Sequence, residues 1–280
     1  MEEQNPPIPL IVVPGSIALY TVLSQILTRK NVFSTHPRPS QARNNAISAG
    51  HAVLTTAAVL YALASSPIIE NHIHTRRPPL SDGNLDDSSN PLIQDRNAFA
   101  NLITTWETGY LIYDTWMLVQ DAKTNRNARR KNALVDQVLC AARQKPDIFA
   151  HHTLLASAFL VLQGYIFRGR EKGIWVIMVF MLFNASNPVM HARWWARSSG
   201  QSYTRGKKLA WDIAFAVMFG AARFGTVAWL FKRYGTYHGM GAVEVFGKLR
   251  VPCRVGTAAL TGLNALWWTN LVKGIMFKKR

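Results

Sequence analysis

Residues 149–167 read Phe-Ala-His-His-Thr-Leu-Leu-Ala-Ser-Ala-Phe-Leu-Val-Leu-Gln-Gly-Tyr-Ile-Phe. The run is about as long as a helix must be to cross a hydrocarbon core roughly 30 Å thick. It opens on two adjacent imidazoles, His151 and His152, just after Asp147. Ionisable side chains inside a membrane segment are costly and mark function by default. Neighbouring residues on a helix point about 100° apart. One imidazole is therefore expected to face a cavity while the other orients it or meets a neighbouring helix. Metal binding is not expected of the pair, because zinc sites want three or four ligands.

The same reading extends outward. Apolar runs of similar length fall at Ile8–Leu27, Arg43–Ser66, Asn101–Gln120, Gly173–Trp194, Leu209–Phe231 and Val255–Phe277. Trp106, Trp194, Trp195, Trp229 and Tyr234 sit near span ends, where amphipathic rings settle in a bilayer. The fold class predicted is all-α integral membrane, with about seven transmembrane helices. Pro9 and Pro14 make the first span the least secure helix, since each removes a backbone donor. The start of the chain, with Glu2 and Glu3, does not resemble a cleaved signal peptide.

The net charge of +17 is distributed as a membrane protein distributes it, and no nucleic-acid partner is expected. The connector after Gln120 carries Lys123, Arg126, Arg129, Arg130, Lys131, Arg143 and Lys145. The connector after Ser66 is acidic, with Glu70, Asp82, Asp86, Asp87 and Asp95. Excess Lys and Arg marks the cytoplasmic side, which puts the basic connector inside and the N-terminus outside. The stretch His72–Arg96, rich in Pro, Ser, Gly and Asn, reads as a flexible loop. Cys140 and Cys253 then lie on opposite sides and are not expected to pair.

Several spans carry polar residues three and four apart, on one helix face. Ser48, His51 and Thr55 form one such stripe, and Glu107, Tyr110 and Asp114 a second. Asn184, Asn187 and His191 form a third, and Thr257, Thr261, Asn264 and Trp268 a fourth. Unsatisfied polar groups in hydrocarbon cost several kcal/mol each, so these stripes are expected to face inward. Ser48, Thr55, Thr257 and Thr261 read as interhelical hydrogen-bond glue. Asp114 and Arg223 could neutralise one another as a structural ion pair. Glu107 and Asp212 lie near predicted span ends and are expected to reach the interface. Pro188 should kink its helix and release the carbonyl of Asn184, which favours a pocket around Asn184, Asn187 and His191.

These residues resemble a known family. Gly109-Tyr110-Leu111-Ile112-Tyr113-Asp114 is similar to the Gly-Tyr-x-x-x-Asp signature of the TLC domain, shared by translocating-chain-associated proteins and ceramide synthases. Phe149–Leu154 resembles its His-His motif, and Ser48-x-x-His51-Ala52 its early membrane histidine. Phe219 with Arg223 resembles a later Phe-x-x-x-Arg pattern, and Trp267–Lys273 the last helix. The likeness runs from Arg43 to Lys279. It implies an N-terminal tail and first membrane helix over 1–42, then a TLC domain over 43–280. Six membrane helices of that domain would form a helical barrel around an acyl-chain cavity, and the endoplasmic reticulum would be its membrane.

Ceramide synthases of the family join an acyl group from acyl-CoA to a sphingoid amine, and require the His-His pair and a later Asp-x-Ser-Asp. By spacing the later motif falls on Asn184-Ala185-Ser186-Asn187, where both acids are asparagine. Asparagine hydrogen-bonds but carries no charge. A carboxylate for the histidines would have to come from Asp114 or Asp147, if the fold brings either close. The expected catalytic set is therefore His151, His152 and Asp114. The expected cavity set is His51, Tyr110, Asn184, Asn187, His191, Arg223 and Asn264. Membrane lipids are the expected partners, with acyl-CoA as co-substrate and no resident cofactor. Asn184 or Asn187 would donate to a developing oxyanion, and Arg129, Arg130 and Lys131 would attract the phosphates of acyl-CoA. The alternative is a non-catalytic protein whose cavity binds a lipid and regulates membrane composition.

Overall fold

The computed structural model describes residues 8–66, 85–123, 134–198 and 204–277. Glu2, Glu3, Glu70, Asp82, the basic residues Arg126, Arg129, Arg130 and Lys131, and the Lys278–Arg280 tail lie outside the described residues.

Twelve α-helices and no strand occur among the described residues. They are α1 (Ile8–Arg29), α2 (Pro39–Ala64), α3 (Pro91–Gln94), α4 (Ala98–Lys123), α5 (Leu134–Gln144) and α6 (Pro146–Phe167), followed by α7 (Ile174–Met181), α8 (Asn187–Ser198), α9 (Arg205–Gly220), α10 (Thr226–Tyr237), α11 (Ala242–Lys248) and α12 (Val251–Met276). A 3-10 turn, Leu182–Ser186, joins α7 to α8, and a π turn, Ala221–Gly225, joins α9 to α10. The runs 174–198 and 205–237 are thus continuous helical rods.

Five rods are long and apolar enough to cross a membrane: α1, α2, α6, 174–198 and 205–237. The chain is an all-α integral membrane protein. The other two predicted spans, α4 and α12, have the length, at 26 residues each or about 39 Å. They fall short in apolarity because α4 carries Glu107, Asp114 and Asp121, and α12 carries Arg254, Lys273 and two asparagines.

Local chemistry sets the helix ends. α1 accommodates Pro14 internally and remains unbroken. α6 begins with Pro146, whose missing N–H falls where no acceptor exists, and Asp147 in the first turn faces the positive end of the helix dipole. It stops at Phe167, where Gly169 takes φ +58° and donates to the Ile166 carbonyl. That left-handed cap is natural to glycine. Pro188 acts one turn earlier than a simple kink would. Without a proline N–H, the Asn184 carbonyl loses its α-helical partner. It accepts instead from the N–H of Asn187, closing the 3-10 turn. The carbonyl expected to be free is therefore satisfied.

The described chain divides into two compact units. The first holds Met1–Ser48 and Asn101–Glu171, the second Ala49–Ala100 and Lys172–Arg280. In the first, α1 packs on α6. Ser16 on α1 donates to the Trp106 carbonyl of α4 at 3.0 Å, and Trp106 Nε1 donates to the Tyr20 hydroxyl at 2.8 Å. A polar ladder links α4 to α6, with Thr105 to Gln163 at 2.7 Å and Gln163 to Thr108 at 3.0 Å, and Asn101 of α4 donates to Glu171 in the connector after α6 at 2.9 Å. Val119, Ala141 and Phe149 pack together, seating α5 beside the start of α6.

In the second unit α8 packs on α9, α9 on α12, and α10 on α11. The described part of the predicted flexible loop is bonded there. Asn90 is fully buried and caps α3 through Leu92 N–H. Asp87 accepts from Tyr234 at 2.7 Å and lies 3.3 Å from His238 Nε2. The earlier part, 67–84, lies outside the described residues.

Candidate functional site

The first unit holds the expected catalytic residues. His151 and His152 occupy the second turn of α6, with ring centroids 5.8 Å apart at 80°. His152 Nδ1 lies 3.4 Å from Asp114 Oδ2 on α4. That is ion-pair distance, but the atoms are not aligned as a hydrogen bond, and Nδ1 has no hydrogen-bond partner. The two groups are apposed with side chains 19 % and 24 % exposed. Asp147, the other candidate carboxylate, is exposed in the first turn.

Tyr110, one turn before Asp114, is buried and hydrogen-bonds Ser48. Its ring lies 5.2 Å from that of Tyr20 and 6.5 Å from that of Tyr113. These rings, with Ile47, make an apolar cluster that fixes the α4 face bearing Asp114. Glu107, expected to reach the interface, is 6 % exposed among the helices. Helix α4 starts at Ala98, three residues before the predicted span.

The second unit holds the remaining predicted residues. Arg223 sits in the middle of the π turn and is 8 % exposed. Its NH1 donates to Asn264 Oδ1 at 2.8 Å and its NH2 to Asn187 Oδ1 at 3.4 Å. The amides form a relay: Asn187 Nδ2 donates to Asn184 Oδ1 at 3.0 Å, and Asn264 Nδ2 to the Leu260 carbonyl at 2.9 Å. Both amide oxygens at Arg223 thus point at its charge, a polarised arrangement in which each bond strengthens the next. The Phe183 and Phe219 rings lie 5.1 Å and 4.8 Å from the guanidinium carbon. Arg223 is therefore solvated by neutral amides and aromatic faces, whereas Asp114 faces His152.

His51 is buried and its Nε2 lies 3.2 Å from Thr55 Oγ1, one turn on. His191 is buried one turn beyond Asn187. Asn187 Nδ2, a candidate oxyanion donor, gives one of its two N–H groups to Asn184. Among the described residues no three His, Cys, Asp or Glu side chains converge as a metal site. Both cysteines are free thiols.

One cluster escaped the sequence reading. Asp212, expected to reach the interface, lies two turns inside α9 and is buried. Arg193 Nε donates to its Oδ1 at 2.6 Å, and Arg197 reaches both carboxylate oxygens. The i, i+4 pairing of Arg193 and Arg197 was the visible signal.

An all-α, multi-pass membrane protein with ionisable and amide residues gathered on its inward faces is the class these features define. The family model described as TLC domain matches residues 41–273, so the chain belongs to the TLC-domain family. That membership makes it a membrane lipid-related protein. No curated protein and no solved structure matches it.

Proposed function

We propose that this protein transfers a fatty acyl group from acyl-CoA to the amine or hydroxyl of a lipid acceptor, sphingoid-like or other, in the endoplasmic-reticulum membrane. The observation that carries the reading is the approach of Asp114 to His152. A carboxylate on Nδ1 would fix the imidazole tautomer and leave Nε2 to take a proton. His152 Nε2 would accept the proton of the attacking nitrogen or oxygen. The acyl carbon–sulfur bond would then break as the new C–N or C–O bond forms, and the imidazolium would return the proton to the leaving thiolate. Asp114 stands in for the acids absent at Asn184 and Asn187.

A direct test is membranes bearing wild type, His152→Ala or His151→Ala, supplied with labelled acyl-CoA and long-chain amine or alcohol acceptors. Removing the general base should lower turnover by about 10²–10⁴-fold, with His151→Ala less affected. Activity that survives the double replacement rejects the assignment.

A second reading is favoured by Asn187, which gives one amide N–H to Asn184 and whose oxygen is held by Arg223. Such a network suits a lipid-binding or sensing protein without chemistry. Lipid profiles of a deletion strain separate the two. Loss of one acylated class supports transfer, and a broad shift in phospholipid saturation supports regulation.

A further inference from the structure

We infer that Arg223 is the counter-ion of an acidic lipid head group, a carboxylate or phosphate oxyanion that binds among the helices of the second unit. The inference rests on the lipid-handling reading and names the ligand chemistry of one of its sites.

A guanidinium is always charged and offers five N–H donors. In Arg223 one goes to Asn264 at 2.8 Å and one to Asn187 at 3.4 Å, the long limit of a hydrogen bond. Nε is buried and has no acceptor. Among the described residues its polar partners are two neutral amide oxygens. Amides and ring faces soften the cost of a buried charge without neutralising it. The second unit handles its other buried charge differently: Asp212 is met by two arginines.

The geometry points to an anion that would approach along the edge shared by Nε and NH2. That edge presents the paired donors which bind carboxylates and phosphates side by side. The Nε donor is unused, and the weak NH2 bond is the one most readily shared. The π turn bears on this directly, since a widened turn of this kind is common where a helix serves a ligand. The Phe183 and Phe219 rings lie against the guanidinium carbon rather than supplying an acceptor to its edge. A purely structural arginine in this position would be indifferent to whether a bound lipid is charged.

The test uses the full-length protein in phosphatidylcholine nanodiscs and two probe pairs. Palmitic acid is compared with methyl palmitate, and phosphatidic acid with diacylglycerol, by native mass spectrometry. Wild type should bind one acid at least about tenfold more tightly than its neutral counterpart, equivalent to about 1.4 kcal/mol. Which pair shows the preference distinguishes a carboxylate from a phosphate. Arg223→Gln should lose the preference for acid over neutral probe, while Arg223→Lys should keep part of it. The comparison within wild type does not depend on any variant folding. Equal binding of acid and neutral probes overturns the anion site and leaves the lipid-handling reading standing. A preference undiminished in Arg223→Gln also overturns the site. Failure of all four probes to bind overturns both.

Discussion

Replacing Asp212 by Asn removes the carboxylate that two arginines share. Asp212 is 5 % exposed, and the Arg193 and Arg197 side chains are 28 % and 30 % exposed. Three charge-assisted hydrogen bonds converge on it, two on Oδ1 and one on Oδ2. At about 1.5–3 kcal/mol apiece they would sum to more than the substitution can cost, because they share one acceptor group and are not additive. Breaking a buried ion pair from one side costs about 3–5 kcal/mol. Asn retains one oxygen, and both arginines can turn partly to water, so the expected loss is about 2–3 kcal/mol. The assay is SDS-induced unfolding in mixed micelles, followed by helical circular dichroism. Arg193→Gln alone should cost about 1 kcal/mol, since Arg197 still holds both oxygens. The Arg197→Gln/Asp212→Asn double variant should lose less than the sum of its singles, with a coupling of about 1–2 kcal/mol. An Asp212→Asn protein within about 0.5 kcal/mol of wild type, the range of an ordinary surface change, would refute the claim that this carboxylate locks α8 to α9.

Two other outcomes are expected. Burial pushes the Asp87 carboxyl up, but hydrogen bonds from His238, Tyr234 and Asn90 outweigh it and hold the carboxyl below its ordinary value of 3.8. A lowered folded-state value gives stability that is complete above the ordinary carboxylate range and lost as pH falls through the lowered value. Amide exchange across 90–95 should therefore stay slow from neutral pH to about 5 and quicken below about 4, while Asp87→Asn removes that acid step. An added Cβ at Gly109 would meet Ser16 Cβ at 2.5 Å and the Val13 carbonyl oxygen at 2.7 Å. The carbonyl belongs to α1 backbone and cannot step aside, so Gly109→Ala should cost about 1–3 kcal/mol in the same micelle titration.

Fold class and family were legible because membrane helices announce themselves in long apolar runs. The order of Gly109–Asp114, His151–His152 and Phe219–Arg223 along the chain carried the family. Helix ends were less legible. Apolarity fades before helices stop, so α4 and α9 run three and four residues beyond their predicted starts. Burial of Glu107 and Asp212 by neighbouring helices was likewise not readable from their distance to the span ends. The Asn184–Asn187 stripe was readable from its spacing, but its role as acceptor for Arg223 was not. Which carboxylate meets the histidine pair is a question of packing between α4 and α6. The Thr105–Gln163–Thr108 ladder that sets it uses residues that look like ordinary helix glue. The Asp87 cluster was hidden for the opposite reason, since its partners His238 and Tyr234 lie about 150 positions away.

The central claim is that His152, apposed to Asp114, moves a proton during acyl transfer. Its most direct measurement is the release of free CoA thiol by the purified protein in nanodiscs, followed together with acylated product from a long-chain amine or alcohol. Wild type should release one thiol per product. Asp114→Asn should lower kcat by about 10²-fold or more with little change in KM for acyl-CoA, because the orienting carboxylate acts on the base and not on substrate binding. Thiol release and product formation that continue at the wild-type rate in both Asp114→Asn and His152→Ala would contradict it.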